Sequence, residues 1–453
     1  MFSTTMLTGR TVRLIQTAAA GLVLLGTVAG ADAQTSVDPG RAFRGVFADV
    51  EPAATAVAFS ADVYQGIQRP GTFHLTAPQE TFAGIAPSLT FSHHGRKTTF
   101  GASAAAIARY YTNTQDVRAM YEGGAIGLRH QFGRMAVQLT QSVELQPMLQ
   151  FGAVRSYTSS ALGSLDHIDL EHIGEGDGLL SSSSRVGMSV QAQRYLWIQA
   201  GYGFEHFEFR GPSAQLGLFE QVARRQEAYA GMSKRFGRNT AIRLGLRSVK
   251  GAGATGPVSR QETWVHNIDL GLDRLQSITV TRTTTLSLNG GIGMMRQEST
   301  ANARAIVGTG GVGLDKRIGR RARLGFTARR DLYFIEGMAD PVLTNGADAR
   351  FETQFARRWV VTATAGVAKG HGMTGFGASE QMRVDYDNSH VDVRTAYKLR
   401  DAVSIYAEYL RFDQTFDRSA AQPGLFLRDE RRSGLRVGIQ FNVPLVGGER
   451  GVE

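Results

Sequence analysis

The sequence predicts an all-β fold, a transmembrane, antiparallel, up-and-down β-barrel of about eighteen strands, with about sixteen as the alternative count. Three observations lead there: long runs with period-two alternation, a leader that directs export, and connections that alternate between tight and long. The alternation is clearest near the C-terminus, where Leu435, Val437, Ile439, Phe441 and Val443 are interleaved with Arg436, Gly438, Gln440 and Asn442. Ile242, Leu244 and Leu246 alternate with Arg243, Gly245 and Arg247, and Leu324, Phe326 and Ala328 with Arg323, Gly325, Thr327 and Arg329. Each run puts apolar groups on one face and charge or glycine on the other. A soluble sandwich alternates too, but its strands peak near 5–6 residues. Runs such as 98–112 and 135–151 exceed that, and a tilted membrane strand needs about 9–11 residues plus its ends.

The leader has three parts. Met1 to Gln16 carries Arg10 and Arg13 without an acid, Thr17 to Gly30 is small and apolar, and Ala31-Asp32-Ala33 forms an A-x-A cleavage site before Gln34. This is the pattern of a secretory signal peptide. The expected layout is a signal peptide over 1–33, a periplasmic lead-in over 34–54, the barrel over 55–443 and a tail over 444–453. The expected location is the outer membrane of a Gram-negative type of cell. The formal charge of +10 suits nucleic acid, acidic lipid or an anionic solute. Export removes nucleic acid from that set. The chain has no cysteine, so a disulfide framework and a thiolate metal site are both excluded. Glycine is frequent, 54 of 453 residues, and has no triplet period, which excludes a collagen-like chain.

The expected strands run from 55–67 to 430–443 and include 239–250, 261–281, 346–357 and 380–398. Tight turns fall at His94-Gly95-Arg96-Lys97, Gly133-Arg134, Phe236-Gly237-Arg238, Gly319-Arg320, Arg357-Arg358 and Leu399-Arg400. The opposite ends carry longer connections, among them 68–80, 152–181, 211–220, 251–260, 335–345, 371–379 and 414–429. Short turns on one side and long loops on the other is the outer-membrane arrangement. Pro87 and Pro147 fall inside expected strands, where bulges are expected, and Pro444 falls outside.

In the last strand Arg436, Gly438, Phe441 and Val443 stand in the order polar, glycine, aromatic, hydrophobic. This resembles the signal by which the barrel-assembly machinery recognises its substrates, although here the chain continues to Glu453. The resemblance implies that machinery and periplasmic chaperones as partners during biogenesis. Hairpins such as Gln131-Phe132-Gly133-Arg134 and Lys234-Arg235-Phe236-Gly237-Arg238 resemble those of a group of uncharacterised, porin-like outer-membrane β-barrel proteins. Such proteins are sometimes associated with exopolysaccharide loci.

A barrel of this size leaves an aqueous channel. Alternation points Arg129, Arg243, Arg247, Arg323, Arg329, Arg394 and Arg436 inward, together with Asp62, Glu205, Asp269, Glu352 and Asp392. These side chains either line a pore or form cross-strand ion pairs, and the two roles are compatible. The bases outnumber the acids, which favours anions. The 152–181 loop carries Asp166, Asp169, Glu171, Glu175 and Asp177 against Arg155, and resembles the constriction loop of general porins. A solvated surface loop reads the same way. Asp166-His167-Ile168-Asp169-Leu170-Glu171-His172 offers metal-ligand types without a defined spacing, so no metal is assigned. Gly308-Thr309-Gly310-Gly311-Val312-Gly313 matches G-x-G-x-x-G, but a hairpin follows it where a nucleotide site needs a helix. His206 and His371 lie near loop ends without a partner pattern. No catalytic residue and no cofactor are assigned.

The expected function is therefore a passive channel for small solutes with a modest anion preference, in outer-membrane lipid, as a monomer or an oligomer. The alternatives are a dedicated export port for an anionic exopolysaccharide and a plugged structural or adhesive barrel. Terminal sequencing of the mature protein is expected to begin at Gln34. A chain that keeps residues 1–33 in the membrane would overturn the reading of the leader.

Overall fold

The computed structural model describes residues 55–71, 80–112, 116–147, 178–210, 222–236, 240–255, 258–274, 284–298, 304–319, 321–334, 341–356, 358–372, 385–416 and 430–446. They form eighteen strands: β1 (Thr55–Gly71), β2 (Glu80–His94), β3 (Thr98–Tyr111), β4 (Asp116–Phe132), β5 (Met135–Pro147), β6 (Gly178–Gln193), β7 (Leu196–Arg210), β8 (Val222–Phe236), β9 (Thr240–Thr255), β10 (Val258–Arg274), β11 (Thr284–Glu298), β12 (Arg304–Ile318), β13 (Ala322–Phe334), β14 (Pro341–Phe355), β15 (Trp359–Gly372), β16 (Asp385–Arg400), β17 (Val403–Phe416) and β18 (Glu430–Val446). Every strand pairs antiparallel with its sequence neighbours, and β1 also pairs with β18, from Val57 opposite Val446 to Gly71 opposite Arg431. The sheet is closed. Closure matters because an unpaired backbone group in hydrocarbon costs several kcal/mol. The eighteen-strand count holds and the sixteen-strand alternative does not.

The strands are 13 to 17 residues long, more than the membrane crossing needs, so their ends project beyond it. Val63, Ile126, Leu139, Leu244, Leu270 and Ile439 are exposed on the outer face. The turns at Gly133 (φ 59°) and Gly319 (φ 64°) use the left-handed backbone that glycine adopts without strain. At the third such position the chain places Ala356 (φ 58°). The short hairpins are also tied to one another. The carbonyls of Lys97, Arg134, Tyr195, Arg321, Arg358 and Ala402 accept from the backbone N–H of Gln131, Gln191, Arg235, Gln354, Lys398 and Asn442 on the neighbouring hairpins.

Several boundaries differ from expectation. β10 ends at Arg274, whereas a strand was expected to run to residue 281. The rest of that expected strand, residues 275–281, lies outside the described residues. β9 and β10 extend toward each other, so the loop expected over 251–260 shrinks to 256–257. β14 begins at Pro341, β16 begins at Asp385, and β18 runs through Pro444 to Val446 instead of ending at residue 443. The expected bulge at Pro87 is absent: the register of β2 with β1 is continuous, and the ladder to β3 only skips Ala86 and Pro87. Pro147 closes β5 and needs no bulge. The register of β1 against β18 shifts beside Pro444 instead, between Val57 and Ala58. Residues 1–54 and 447–453 lie outside the described residues.

One ladder is incomplete. β12 and β13 pair from Ile318 opposite Ala322 only as far as Gly310 opposite Arg330, and Arg304 to Thr309 have a partner on β11 alone. Beyond that point β13 stays paired with β14 and β14 with β15. The end of β13 and the start of β14 therefore leave the line of the wall, while β15 stays paired with β16 as far as His371 opposite Asp385.

The register assigns Leu244 and Phe326 to the lipid face and Thr327 to the lumen. Leu244→Arg or Phe326→Arg is expected to lower unfolding free energy by about 2–4 kcal/mol in a bilayer, and Thr327→Arg by clearly less. Denaturant titration in vesicles reads the difference. Equal losses on the two faces would mean that the register is displaced by one residue.

Candidate functional site: the lumen

The antiparallel register converts alternation into a defined inner wall. Arg129, Arg243, Arg247, Arg323, Arg329, Arg394 and Arg436 stand at inward positions, as do Asp62, Glu205, Asp269, Glu352 and Asp392. The structure adds Arg109, Arg185, Arg225 and Arg350, and among acids Glu144, Glu227, Asp315, Asp331, Asp348 and Glu408. Through the middle of the wall the two signs therefore nearly balance. The excess of base persists at the short-turn mouth, where Arg235, Arg317 and Lys398 are inward and exposed. Sequence reasoning missed the added acids because it followed only the most regular runs.

The inward charges form two networks. On one side Arg436 grips Glu408 with Nε to Oε2 at 3.0 Å and Nη2 to Oε1 at 2.7 Å, with side chains 7% and 1% exposed. Arg394 lies 3.9 Å over the Tyr406 ring and donates to Gln440 Oε1 at 3.1 Å, while the Tyr406 hydroxyl donates to Asp62 at 2.8 Å. The next strands continue this network with Arg109, which stacks on Phe82 (4.6 Å) and donates to the Tyr64 hydroxyl (3.2 Å). On the other side Glu205 is held between Arg185 and Arg225, the latter at 2.9 Å, and Arg247 donates to Glu227 at 2.7 Å. Arg323 meets Asp315 at 2.7 Å nearer the mouth. Asp269 stands opposite Gly245 and Gly291 in its register.

Aromatic rings occupy part of the remaining inner surface, and their seats account for some of the inward glycines. Tyr64 stands opposite Gly84, Phe82 opposite Gly66, Tyr386 opposite Gly370 and Tyr406 opposite Gly438. A β-carbon on Gly438 would lie 2.7 Å from the Tyr406 ring. Each ring lies across the bare backbone of its neighbour, an arrangement known to pin sheet register.

The infolded end of β13 and β14 narrows this lumen. Leu332, Phe334 and Leu343 occupy outward register positions yet are 1%, 2% and 7% exposed. They pack against the inward residues Val249, Val265 and Met295 of β9, β10 and β11. β14 begins with four consecutive buried residues, Pro341 to Thr344, so both faces of this ribbon are covered. The Arg225 guanidinium reaches the Phe334 carbonyl at 3.1 Å and lies 5.5 Å from its ring. β8 and β13 are five strands apart, roughly 24 Å along a sheet at ~4.8 Å per strand, so Phe334 has left its place in the wall and lies inside the barrel over β9 to β11. Thr344 on the other face bonds the Tyr386 hydroxyl at 3.0 Å. Arg330 donates to the Gly308 carbonyl at 3.0 Å, which partners one of the β12 groups that the ladder leaves. Thr263 Oγ1, Asn267 Oδ1 and both amide atoms of Gln414 are buried at the inner surface without a protein hydrogen-bond partner.

The constriction expected from Asp166, Asp169, Glu171, Glu175 and Asp177 lies outside the described residues, as does the Asp166 to His172 stretch; β6 already begins at Gly178. Of the residues resembling an assembly signal, Arg436 and Gly438 face inward and Val443 is exposed outside. The G-x-G-x-x-G stretch lies wholly inside β12, with Gly310 opposite Gly290. His206 is outward on β7, and His371 contacts Asp385 at 3.2 Å on the outer side. Among the described residues no group of three or more His, Asp or Glu stands ready to hold a metal.

No family model and no curated protein matches the sequence. Among solved structures, the chain is similar to OccK2 (OpdF) of Pseudomonas aeruginosa, at 11% identity and a TM-score of 0.45, covering 88% of this chain and 100% of that one. It is similar to OccK1 (OpdK) of the same organism, at 12% and 0.43, covering 86% and 99%. A loop-deleted OmpT, an outer membrane protein of Vibrio cholerae, matches at 13% and 0.37, covering 86% and 100%.

Removing Arg436 takes the bidentate partner from the buried Glu408 and leaves Arg394 at 3.8 Å. Arg436→Met alone is expected to cost about 3–5 kcal/mol, and Arg436→Met with Glu408→Leu considerably less than the two single losses added. Strictly additive losses in chemical unfolding would show that the pair is not coupled.

Proposed function

We propose that the protein is an outer-membrane channel for small polar solutes, narrowed at its long-loop end by the infolded β13–β14 ribbon. The observation that carries this reading is the contact of Arg225 on β8 with the Phe334 carbonyl of the infolded ribbon, inside a closed, polar-lined wall. Three further features support it. The outer face is apolar, the inner face is charged, and the buried polar ends at Thr263, Asn267 and Gln414 suit a wet interior. The near balance of inward charge favours selection by size over selection by sign. A modest anion preference then arises at the short-turn mouth, from Arg235, Arg317 and Lys398. An exit port for a long anionic polysaccharide needs a wide uninterrupted conduit, and the infolded ribbon weighs against one.

Planar-bilayer recording tests this. The intact protein is expected to give small discrete current steps. Leu332→Ala with Phe334→Ala, which loosens the ribbon from its apolar seat, is expected to raise the step size severalfold. Arg235→Glu, Arg317→Glu and Lys398→Glu together are expected to move the reversal potential toward cation preference. That shift should shrink at 1 M salt, where the screening length is about 3 Å. No steps from either form would exclude a channel, and steps from the loosened variant alone would indicate a plugged barrel.

A further inference from the structure

The two strands at the open seam keep a register that would close it. Beyond Gly310 opposite Arg330, the same pairing sets Gly308 against Leu332 and Ile306 against Phe334. The backbone of β13 is oriented for this. Gln354 N–H on β14 donates to the Arg321 carbonyl just before β13, so odd-numbered residues of β13 bond to β14 and even-numbered ones to β12. In a continued ladder Leu332 N–H would donate to the Gly308 carbonyl, and Ile306 N–H to the Phe334 carbonyl. In the infolded state three of these four groups have a side-chain partner instead. Arg330 Nε donates to the Gly308 carbonyl at 3.0 Å, Leu332 N–H donates to the Asp331 carboxylate at 2.8 Å, and Arg225 Nη2 donates to the Phe334 carbonyl at 3.1 Å. Both arrangements satisfy these three groups.

The apolar side chains of the ribbon also suit both arrangements. Infolded, Leu332, Phe334 and Leu343 cover Val249, Val265 and Met295. Returned to the wall, the same outward positions would face lipid beside Ile306, which is 74% exposed. Over this stretch β13 is bonded to β14 and β14 to β15, so the ribbon can swing as one piece without breaking a ladder. We propose that the β13–β14 ribbon is a gate with two states. One is the infolded state. In the other, Leu332 and Phe334 pair with Gly308 and Ile306, the seam closes, and the long-loop end of the lumen widens. The proposal rests on the channel reading given above.

The chain has no cysteine, so engineered thiols can trap the second state. Ile306→Cys with Phe334→Cys sets two thiols directly opposite one another there, about 5.5 Å apart at Cα and within disulfide reach. In the infolded state they are apart: Phe334 lies over β9 to β11 and meets Arg225 of β8, while Ile306 faces outward from β12. In planar bilayers under mild oxidant, the small current steps are expected to grow severalfold as the disulfide forms, and to return on reduction. Arg304→Cys with Phe334→Cys is out of register by two residues, about 7–8 Å across the diagonal. This pair is expected to keep both thiols free and its steps small. Arg330→Met in the otherwise native chain removes a partner that Gly308 uses only in the infolded state. It is expected to raise the share of time at the larger step about fivefold, the factor that one net hydrogen bond is worth. No disulfide in the Ile306 pair, or equal trapping by both pairs, would overturn the second state. A disulfide that leaves the step size unchanged would overturn the gate. So would an unchanged time share in Arg330→Met, which needs no cysteine variant to fold. If no form gives steps, oxidised or reduced, the channel reading itself falls and the gate with it.

Discussion

Everything in this structure depends on the requirement that backbone polar groups inside a bilayer find partners within the protein. Pairing β1 with β18 meets it for the sheet as a whole. Once the sheet is closed the register admits no slippage, because a shift of one residue would turn every side chain to the opposite face. The inner wall, its charge networks and its ring seats all follow from that register. The longest departure among the described residues, between β12 and β13, is placed where the strands project toward the long loops. There Arg330 supplies one of the hydrogen bonds the ladder omits.

The departure also shows how a sheet can narrow its lumen with its own strands. A wall strand alternates because its two faces meet different surroundings. The end of β13 and the start of β14 meet protein on both faces, so alternation is no longer required of them. Leu332 and Leu343 use their outward positions to cover Val249, Val265 and Met295, while Thr344 on the other face reaches Tyr386. The cost of exposing backbone at the seam is offset by a buried apolar cluster. By the usual ~25 cal/mol per Å² of buried apolar surface, a few such side chains are comparable with one or two lost hydrogen bonds.

How much was legible in the sequence follows the same logic. The strands that alternate cleanly, such as those bearing Leu244, Phe326 and Ile439, were placed on the correct face because one periodicity decides both element and orientation. Boundaries were less legible where composition and pairing part company. Pro444 reads as the end of a strand by composition, yet β18 runs through it to Val446, with a register shift beside it. The infolded ribbon carried a signal that went unused: Leu332-Tyr333-Phe334 and Val342-Leu343 are apolar on consecutive positions, which a lipid-facing wall does not require. The pairing of charges was not legible at all. Arg225 and Phe334 are separated by 109 positions, and no local pattern announces their contact.

The seats of the inner rings have a consequence for how such a chain can change over time. Each ring and the glycine opposite it form one unit shared by two strands, as with Tyr406 and Gly438 or Tyr64 and Gly84. A side chain in place of the glycine collides with the ring, and loss of the ring leaves bare backbone facing the lumen. Neither member is free to drift alone, because residues in contact are energetically coupled. Related chains should therefore inherit these positions as doublets, lost or exchanged together. Such doublets would be traceable as covariation between adjacent strands even where the rest of the inner wall has diverged beyond recognition.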